Sequence, residues 1–238
     1  LEGYANHGVE EFLHAWCSIG AVNKAINLLR DAGCVDLVFA GYVKRPDFSK
    51  IKPDLRGAAM IPKLIGAARS GDNALLATIL KEFEGEGFRI VGAQDVFAAL
   101  VAPQEVLTLA HPSERDTRDI AKGVAVVRAL GAHDVGQGAV VCDGLVLAVE
   151  AAEGTDAMLD RCAALPVQIR GTHESRRGVL VKFAKPAQER RIDLPTIGLE
   201  TIERAARAGL SGIALEAGGA LIMDRGEVLA RAPFEITG

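Results

Sequence analysis

Aromatic residues are scarce in this 238-residue chain, with one Trp, two Tyr and eight Phe. That disfavours the base-stacking platforms on which single-stranded nucleic acids are held. Cations are not in excess either: 27 Lys and Arg against 31 Asp and Glu leave a formal charge of −4. Such a balance is the wrong sign for a general phosphate-backbone binder, so no nucleic-acid partner is expected. Cys17, Cys34, Cys142 and Cys162 stand far apart, with no CxxC and no paired Cys/His spacing. A disulfide framework or structural zinc is therefore not expected, and reduced cytosolic thiols are the simple reading. No apolar run reaches the ~18–20 residues needed to span a bilayer. The longest, around Ala139 to Ala152, is broken by Asp143-Gly144. Also absent are GxGxxG, the P-loop GxxxxGK[ST], GxSxG and any Ser-His-Asp arrangement. The five histidines are isolated, and only His173 lies in a polar stretch near a candidate site.

What is present suits a packed protein. Hydrophobic residues make up 49% of the chain and charged ones 24%, a composition that affords a core and argues against disorder. The length allows one large domain or two small ones. Helical spacing runs over Glu10–Trp16, Ile19–Ala32, Asp54–Arg69 and Asn73–Glu84, the last with Asp72 as a candidate cap. Short buried strands are expected at Val35–Phe39 and Gly87–Gly92, and a further helix from Gln94 to about Leu100. Strand and helix alternating in this order predict a parallel sheet flanked by helices, a Rossmann-like domain over residues 1–101.

Periodicity lapses between Ala102 and Arg115, which reads as a linker over residues 102–115. Ser113-Glu114-Arg115-Asp116 resembles a capping sequence for the next helix, to Leu130. Residues 116–238 then read as a mixed α/β domain. Gly138–Asp143 and Leu145–Glu150 form a hairpin across Asp143-Gly144. A helix over Asp156–Ala164 follows, then a strand over Gly178–Ala184 and a helix over Leu199–Ala208. Strands at Gly212–Glu216, Ala220–Met223 and Phe234–Thr237 complete the domain, with a short helix after Asp224.

One stretch collects charge in a way a scattered solvated face would not. KFAKPAQERRIDLPTIG, residues 182–198, brings together Lys182, Lys185, Arg190 and Arg191, with Asp193 before an apolar proline-containing turn. A strand that projects Lys182 and Ala184 outward would set ammonium groups at the end of a sheet edge, where α/β proteins bind ligands. Lysine and arginine there can neutralise diphosphate oxygens, and Asp193 could hold a divalent ion or orient a water. The plainer reading makes them surface cations, with Asp193 paired to Arg191.

Glu153-Gly154-Thr155-Asp156 is a second candidate. Thr155 fits an N-cap whose free amides could cradle phosphate, with Asp156 toward a metal, although an ordinary capped helix also explains it. A third is the loop from Ala40 to Asp47, in which Gly41 would permit close approach of a nucleotide. Glu216-Ala217-Gly218-Gly219 reads as a tight turn alone.

Five motifs recur in the order of a known family: Phe39-Ala40-Gly41 with Lys44-Arg45-Pro46-Asp47; Asp134-Val135-Gly136-Gln137; Glu153 to Leu159; Lys185-Pro186-Ala187-Gln188 to Pro195; and Glu216 to Gly219. Over essentially its whole length the chain resembles the UDP-2,3-diacylglucosamine pyrophosphatases of lipid A biosynthesis, in the form unrelated to calcineurin-like phosphoesterases. The resemblance implies hydrolysis of UDP-2,3-diacylglucosamine to UMP and 2,3-diacylglucosamine 1-phosphate (lipid X), activated by Mg2+. Water would attack the sugar-side phosphorus. It also implies two domains with the lipid product in the cleft between them, and an essential aspartate at Asp193. Substrate contacts would come from Lys182, Lys185, Gln188, Arg191, Gln137, Gly154, Thr155 and Gly41, and metal contacts from Asp193 and Asp156. Ala187 stands where the family has glycine and Glu189 where it has aspartate. The family's first strand and glycine-rich turn would precede Leu1.

Such an enzyme is expected in the cytoplasm, peripheral to the inner membrane, and a homodimer is compatible. The segment 57–65 and the helical faces near Ala205 are candidate acyl-chain grooves, though core packing explains both more simply. Two other readings stand beside the enzyme: a non-catalytic nucleotide-sugar or phospholipid binder using the same basic loop, and an interaction protein whose lysines meet an acidic partner.

Overall fold

The structure is a computed structural model that describes residues 1–41, 47, 50–186 and 188–238. The chain divides into two compact units, Leu1–Val96 and Phe97–Gly238. The first unit carries helices α1 (Val22–Asp31), α2 (Leu55–Ala68), α3 (Asp72–Gly85) and α4 (Ala93–Val96). Strands β1 (Asp36–Leu37) and β2 (Arg89–Ile90) pair in parallel, with Asp36 opposite Arg89. Asp54 explains how two helices start together. One of its oxygens accepts from the Gly57 amide of α2 at 2.8 Å, and the other accepts from Asn23 at 2.7 Å and Lys24 at 3.2 Å in α1. A single carboxylate thus satisfies orphan donors of both first turns.

The α/β expectation holds, with less sheet than a Rossmann domain carries. Among the described residues this unit has one parallel strand pair. The helix expected over Glu10–Trp16 is instead a 3-10 turn, His7–Glu11. Phe12 and Leu13 after it are 73% and 101% exposed, so the apolar spacing has no surface to pack on. Asp72 is the first helical residue of α3, and Gly71, at φ +123°, occupies the cap position.

In the second unit the sheet order is β4-β3-β5-β7-β9. These strands are β3 (Gly138–Cys142), β4 (Leu145–Val149), β5 (Val179–Lys182), β7 (Gly212–Leu215) and β9 (Glu235–Thr237). Strand β3 runs antiparallel to both β4 and β5, whereas β5, β7 and β9 are mutually parallel. A separate parallel pair joins β6 (Thr196–Ile197) to β8 (Leu221–Ile222). Alternation along β5 sorts the layers. Val179 and Val181 pack with Val127 of α5 (Glu114–Gly131), and Gly123 lets that helix close on Val181. Leu180 faces the other way, into a core built with α6 (Gly154–Ala163), α7 (Leu199–Arg207) and α8 (Arg225–Arg231). Ala205 is fully buried in that core, which removes it as a groove residue.

Two turns were legible in advance. Ser113 caps α5 in a reciprocal box with Asp116. Asp143 and Gly144 both take positive φ, 52° and 77°, as the two-residue hairpin turn requires. Buried Asp119 accepts from both of their amides, at 2.8 and 2.7 Å. Residues 102–107, inside the stretch read as a linker, hydrogen-bond into the second unit. The Ala102 amide reaches the Ala220 carbonyl at 2.9 Å, and the Leu107 amide that of Ile236 at 2.8 Å.

Candidate active site

Parallel strands β5, β7 and β9 end at Lys182, Leu215 and Thr237, and four of the candidate residues gather at the first of these ends. Lys182 does not project outward from a sheet edge. It closes the central strand, lies on the Leu180 side of the pleat and is only 3% exposed. Central position and two-residue alternation together force it under α6 and β6. There Nζ donates to the Thr155 hydroxyl at 2.7 Å and to the Thr196 carbonyl at 3.1 Å. Burial draws the Lys182 ammonium below the usual lysine range, while the charges of Glu150, Asp156 and Asp193 oppose that fall.

Thr155 is not the helix cap. Glu153 holds that position without a side-chain bond, and Gly154, at φ +81°, opens α6. With Thr155 inside the first turn, its hydroxyl points to the strand ends and also meets Glu150 Oε1 at 3.1 Å. Glu150 follows the apolar strand β4 and is 7% exposed. Its Oε2 has no hydrogen-bond partner among the described residues. Glycine opposite leaves room for it in this position: a Cβ at Gly138 would stand 2.5 Å from that oxygen and displace it.

The rest of the basic stretch is anchored by pairing. Lys185 Nζ donates to Asp134 at 2.6 Å, and its amide donates to the Gln188 carbonyl oxygen of the side chain at 2.7 Å. Gln188, buried, donates in turn to the Gln137 side chain at 2.9 Å. Arg191 forks onto Glu189 at 2.9 and 2.7 Å, where the plainer of the two readings had paired it with Asp193. Arg190 meets Glu216 Oε1 at 2.8 Å, and Glu216 Oε2 accepts from the Ala184 amide at 2.9 Å. Glu216 therefore does more than end a strand in a tight turn: it ties the loop after β5 to the end of β7.

Asp193 is half-buried, and its amide reaches the Glu189 carbonyl at 3.0 Å. Its side chain has no hydrogen bond or ion pair among the described residues. Asp156 lies 3.7 Å from Arg204 Nε, a guanidinium shared with Asp160 and Glu200. Of the predicted residues, Lys182, Thr155, Asp156 and Asp193 thus belong to one electrostatic cluster. Lys185, Gln188, Gln137 and Arg191 instead shape the loop that carries Asp193. Gly41 belongs to the first unit with φ +99°; positions 42–46, including Lys44 and Arg45, and Ala187 lie outside the described residues.

What this arrangement can do follows from its charges. One buried ammonium faces three carboxylates, a surplus of negative charge that suits a cation-bridged anionic ligand. No cluster of three His, Cys, Asp or Glu side chains converges at metal-binding range among the described residues. Cysteine nucleophiles are disfavoured, since burial pushes the thiols of Cys142 and Cys162 up to about 11. Glu150 and Glu216 escaped assignment in the sequence. The usable signal was the same for both: an acid directly closing an otherwise apolar strand.

Comparison with known proteins covers both units. Family models for the LpxI N-terminal domain and the LpxI C-terminal domain match residues 1–100 and 103–235. The UDP-2,3-diacylglucosamine pyrophosphatase LpxI of Caulobacter vibrioides is 52% identical over 232 residues, spanning 98% of this chain and 83% of that protein.

Proposed function

This chain belongs to the LpxI family, and we propose that it hydrolyses UDP-2,3-diacylglucosamine to UMP and 2,3-diacylglucosamine 1-phosphate in lipid A biosynthesis. The observation that carries the reading is the 52% identity to a pyrophosphatase of that name across almost the whole chain. The buried Lys182 cluster at the strand ends supplies the chemistry.

Diphosphate hydrolysis needs charge neutralised on the phosphoryl group, an oriented water and a leaving group in line. Lys182 has three N–H donors and uses two within the protein. The third would meet a phosphate oxygen, beside the amides that open α6. Asp193, on the anchored loop, would orient water toward the sugar-side phosphorus. The water oxygen bonds to that phosphorus, the bridging P–O bond breaks, and UMP departs with the bridging oxygen. The water's proton passes to solvent.

Magnesium suits this donor set. It is commonly bound by one or two carboxylates together with substrate phosphates and water, and Asp193 and Asp156 would hold it here. When bound, the ion would lower the charge on the diphosphate oxygens. Two acyl chains place the substrate at a membrane, and the protein would work at the inner-membrane surface from the cytoplasm. Among the described residues no helix is long and apolar enough to cross a membrane.

The test is turnover. Protein, Mg2+ and UDP-2,3-diacylglucosamine should yield UMP, and water enriched in oxygen-18 should label the lipid phosphate. Asp193→Ala should lower kcat by about 10²–10⁴-fold, the usual scale for a positioned acid–base group. Near-normal turnover by that variant would remove Asp193 from the mechanism, and label found only in UMP would reverse the direction of attack.

A further inference from the structure

Glu150 has no part in the reaction as written above, yet it is a buried acid bonded to the hydroxyl that holds Lys182. We infer that Glu150 is a positioning residue for the proposed hydrolysis, fixing the Lys182 ammonium through the Thr155 hydroxyl.

Hydrogen-bond polarity carries the argument. A lysine ammonium only donates, so Thr155 Oγ1 must accept from Lys182 at 2.7 Å. The hydroxyl has one proton, and that proton goes to Glu150 Oε1 at 3.1 Å. The chain therefore has one direction, from ammonium through hydroxyl to carboxylate. The Thr196 carbonyl, at 3.1 Å, takes a second Lys182 proton. Two fixed acceptors hold the ammonium in place and leave its third N–H for a ligand.

The surrounding sequence is shaped for this acid. A side chain at Gly138 would strike Glu150 Oε2, and one at Gly136 would strike the Glu150 carbonyl, with separations of 2.5 and 2.0 Å from the added Cβ. A carboxylate placed there only for solubility would not be buried. Asp156 and Asp193 also act on Lys182, but Asp156 is drawn toward Arg204 and Asp193 sits on the loop proposed to meet the substrate. Glu150 is the acid of this group held inside the protein and linked to Lys182 by a continuous hydrogen-bonded path.

The inference rests on the proposed hydrolysis and is tested with UMP release by the full chain, UDP-2,3-diacylglucosamine and Mg2+. Glu150→Gln should lower kcat/KM about 10- to 100-fold, the scale of one charge-assisted hydrogen bond. Thr155→Val should lose a similar factor, and Thr155→Ser, which restores the hydroxyl, should stay within about threefold of the parent. In the Glu150→Gln/Thr155→Val pair the losses should not multiply, because both act on one path: Gln keeps an acceptor but removes its charge, and Val removes the hydroxyl. Multiplying losses, or a serine variant as impaired as the valine variant, would overturn the role of Glu150. Should Glu150→Gln not fold, Glu150→Asp, which keeps the charge but shortens the reach to the Thr155 hydroxyl, takes its place. It should lose a similar factor, and an unimpaired Glu150→Asp would overturn the role. Absence of UMP release by the unaltered chain would instead sink the proposed hydrolysis.

Discussion

Each end of the sheet in the second unit buries a glutamate with an oxygen that lacks a hydrogen-bond partner among the described residues, and the two ends answer that cost differently. At the carboxyl end, Glu150 is matched through Thr155 to the Lys182 ammonium. At the amino end, Glu235 opens β9 at 4% exposure and faces Asp116, a like charge, instead of a cation. Burial first, and then the charge of Asp116, push the Glu235 carboxyl up to about 7. A buried acid can be answered with a cation or with a proton. The end that sets a lysine against its buried acid is the end where the proposed hydrolysis would take place.

Removing the cation should break the comparison most sharply. Lys182→Met leaves Glu150 buried beside an apolar chain and should cost about 3–5 kcal/mol of stability, as unpairing a buried charge does. Adding Glu150→Gln to Lys182→Met should return part of that loss. Denaturant midpoints check both, and a double variant no more stable than Lys182→Met would mean that Glu150 does not depend on the lysine.

The amino end predicts a pH dependence. Glu235 has a folded pKa of about 7 against 4.5 ordinarily, so between those values the folded chain keeps a proton that the unfolded chain has released. Stability from this group is complete below pH 4.5, falls as pH rises toward 7 and is level above it. Glu235→Gln should remove that decline and raise stability at pH 8 by about 1–3 kcal/mol. Unfolding curves at pH 5 and pH 8 give the measurement. An equal effect at both would show that Glu235 is charged throughout.

The same contrast explains which parts were legible in sequence. The hairpin at Asp143-Gly144 and the cap at Ser113 are local, and their turn chemistry names them. The charge-rich loop drew attention to the carboxyl end of the sheet, where Lys182 is buried, because cations between apolar strands are unusual on a solvated surface. Pairing is not local, however. Lys182 read as outward because nothing in VLVK says that β5 is central, with β3 on one side and β7 on the other. Glu150 and Thr155 are five residues apart, but Lys182 and Thr196 come from two other segments, so the meeting of all four depends on strand order. The exposed start of the chain failed for the reverse reason: Phe12 and Leu13 had helical spacing and no neighbour to pack against.

The smallest expected effect asks whether the two ends are independent. Ser113 Oγ accepts from the Asp116 amide at 3.2 Å, and the Ser113 amide donates to the Asp116 carboxylate at 3.0 Å. Asp116 also takes the Ser211 hydroxyl at 2.6 Å, which fixes it near Glu235. Ser113→Ala should cost about 1 kcal/mol, the ordinary worth of an N-cap. Its cost should stay at the amino end, because separated sites without shared partners add independently. Stability should therefore drop while kcat/KM for UMP release stays within about twofold of the parent. A fall in kcat/KM beyond that would mean that α5, whose far end at Gly131 lies against Lys185 and Pro186, transmits the change to the loop carrying Asp193.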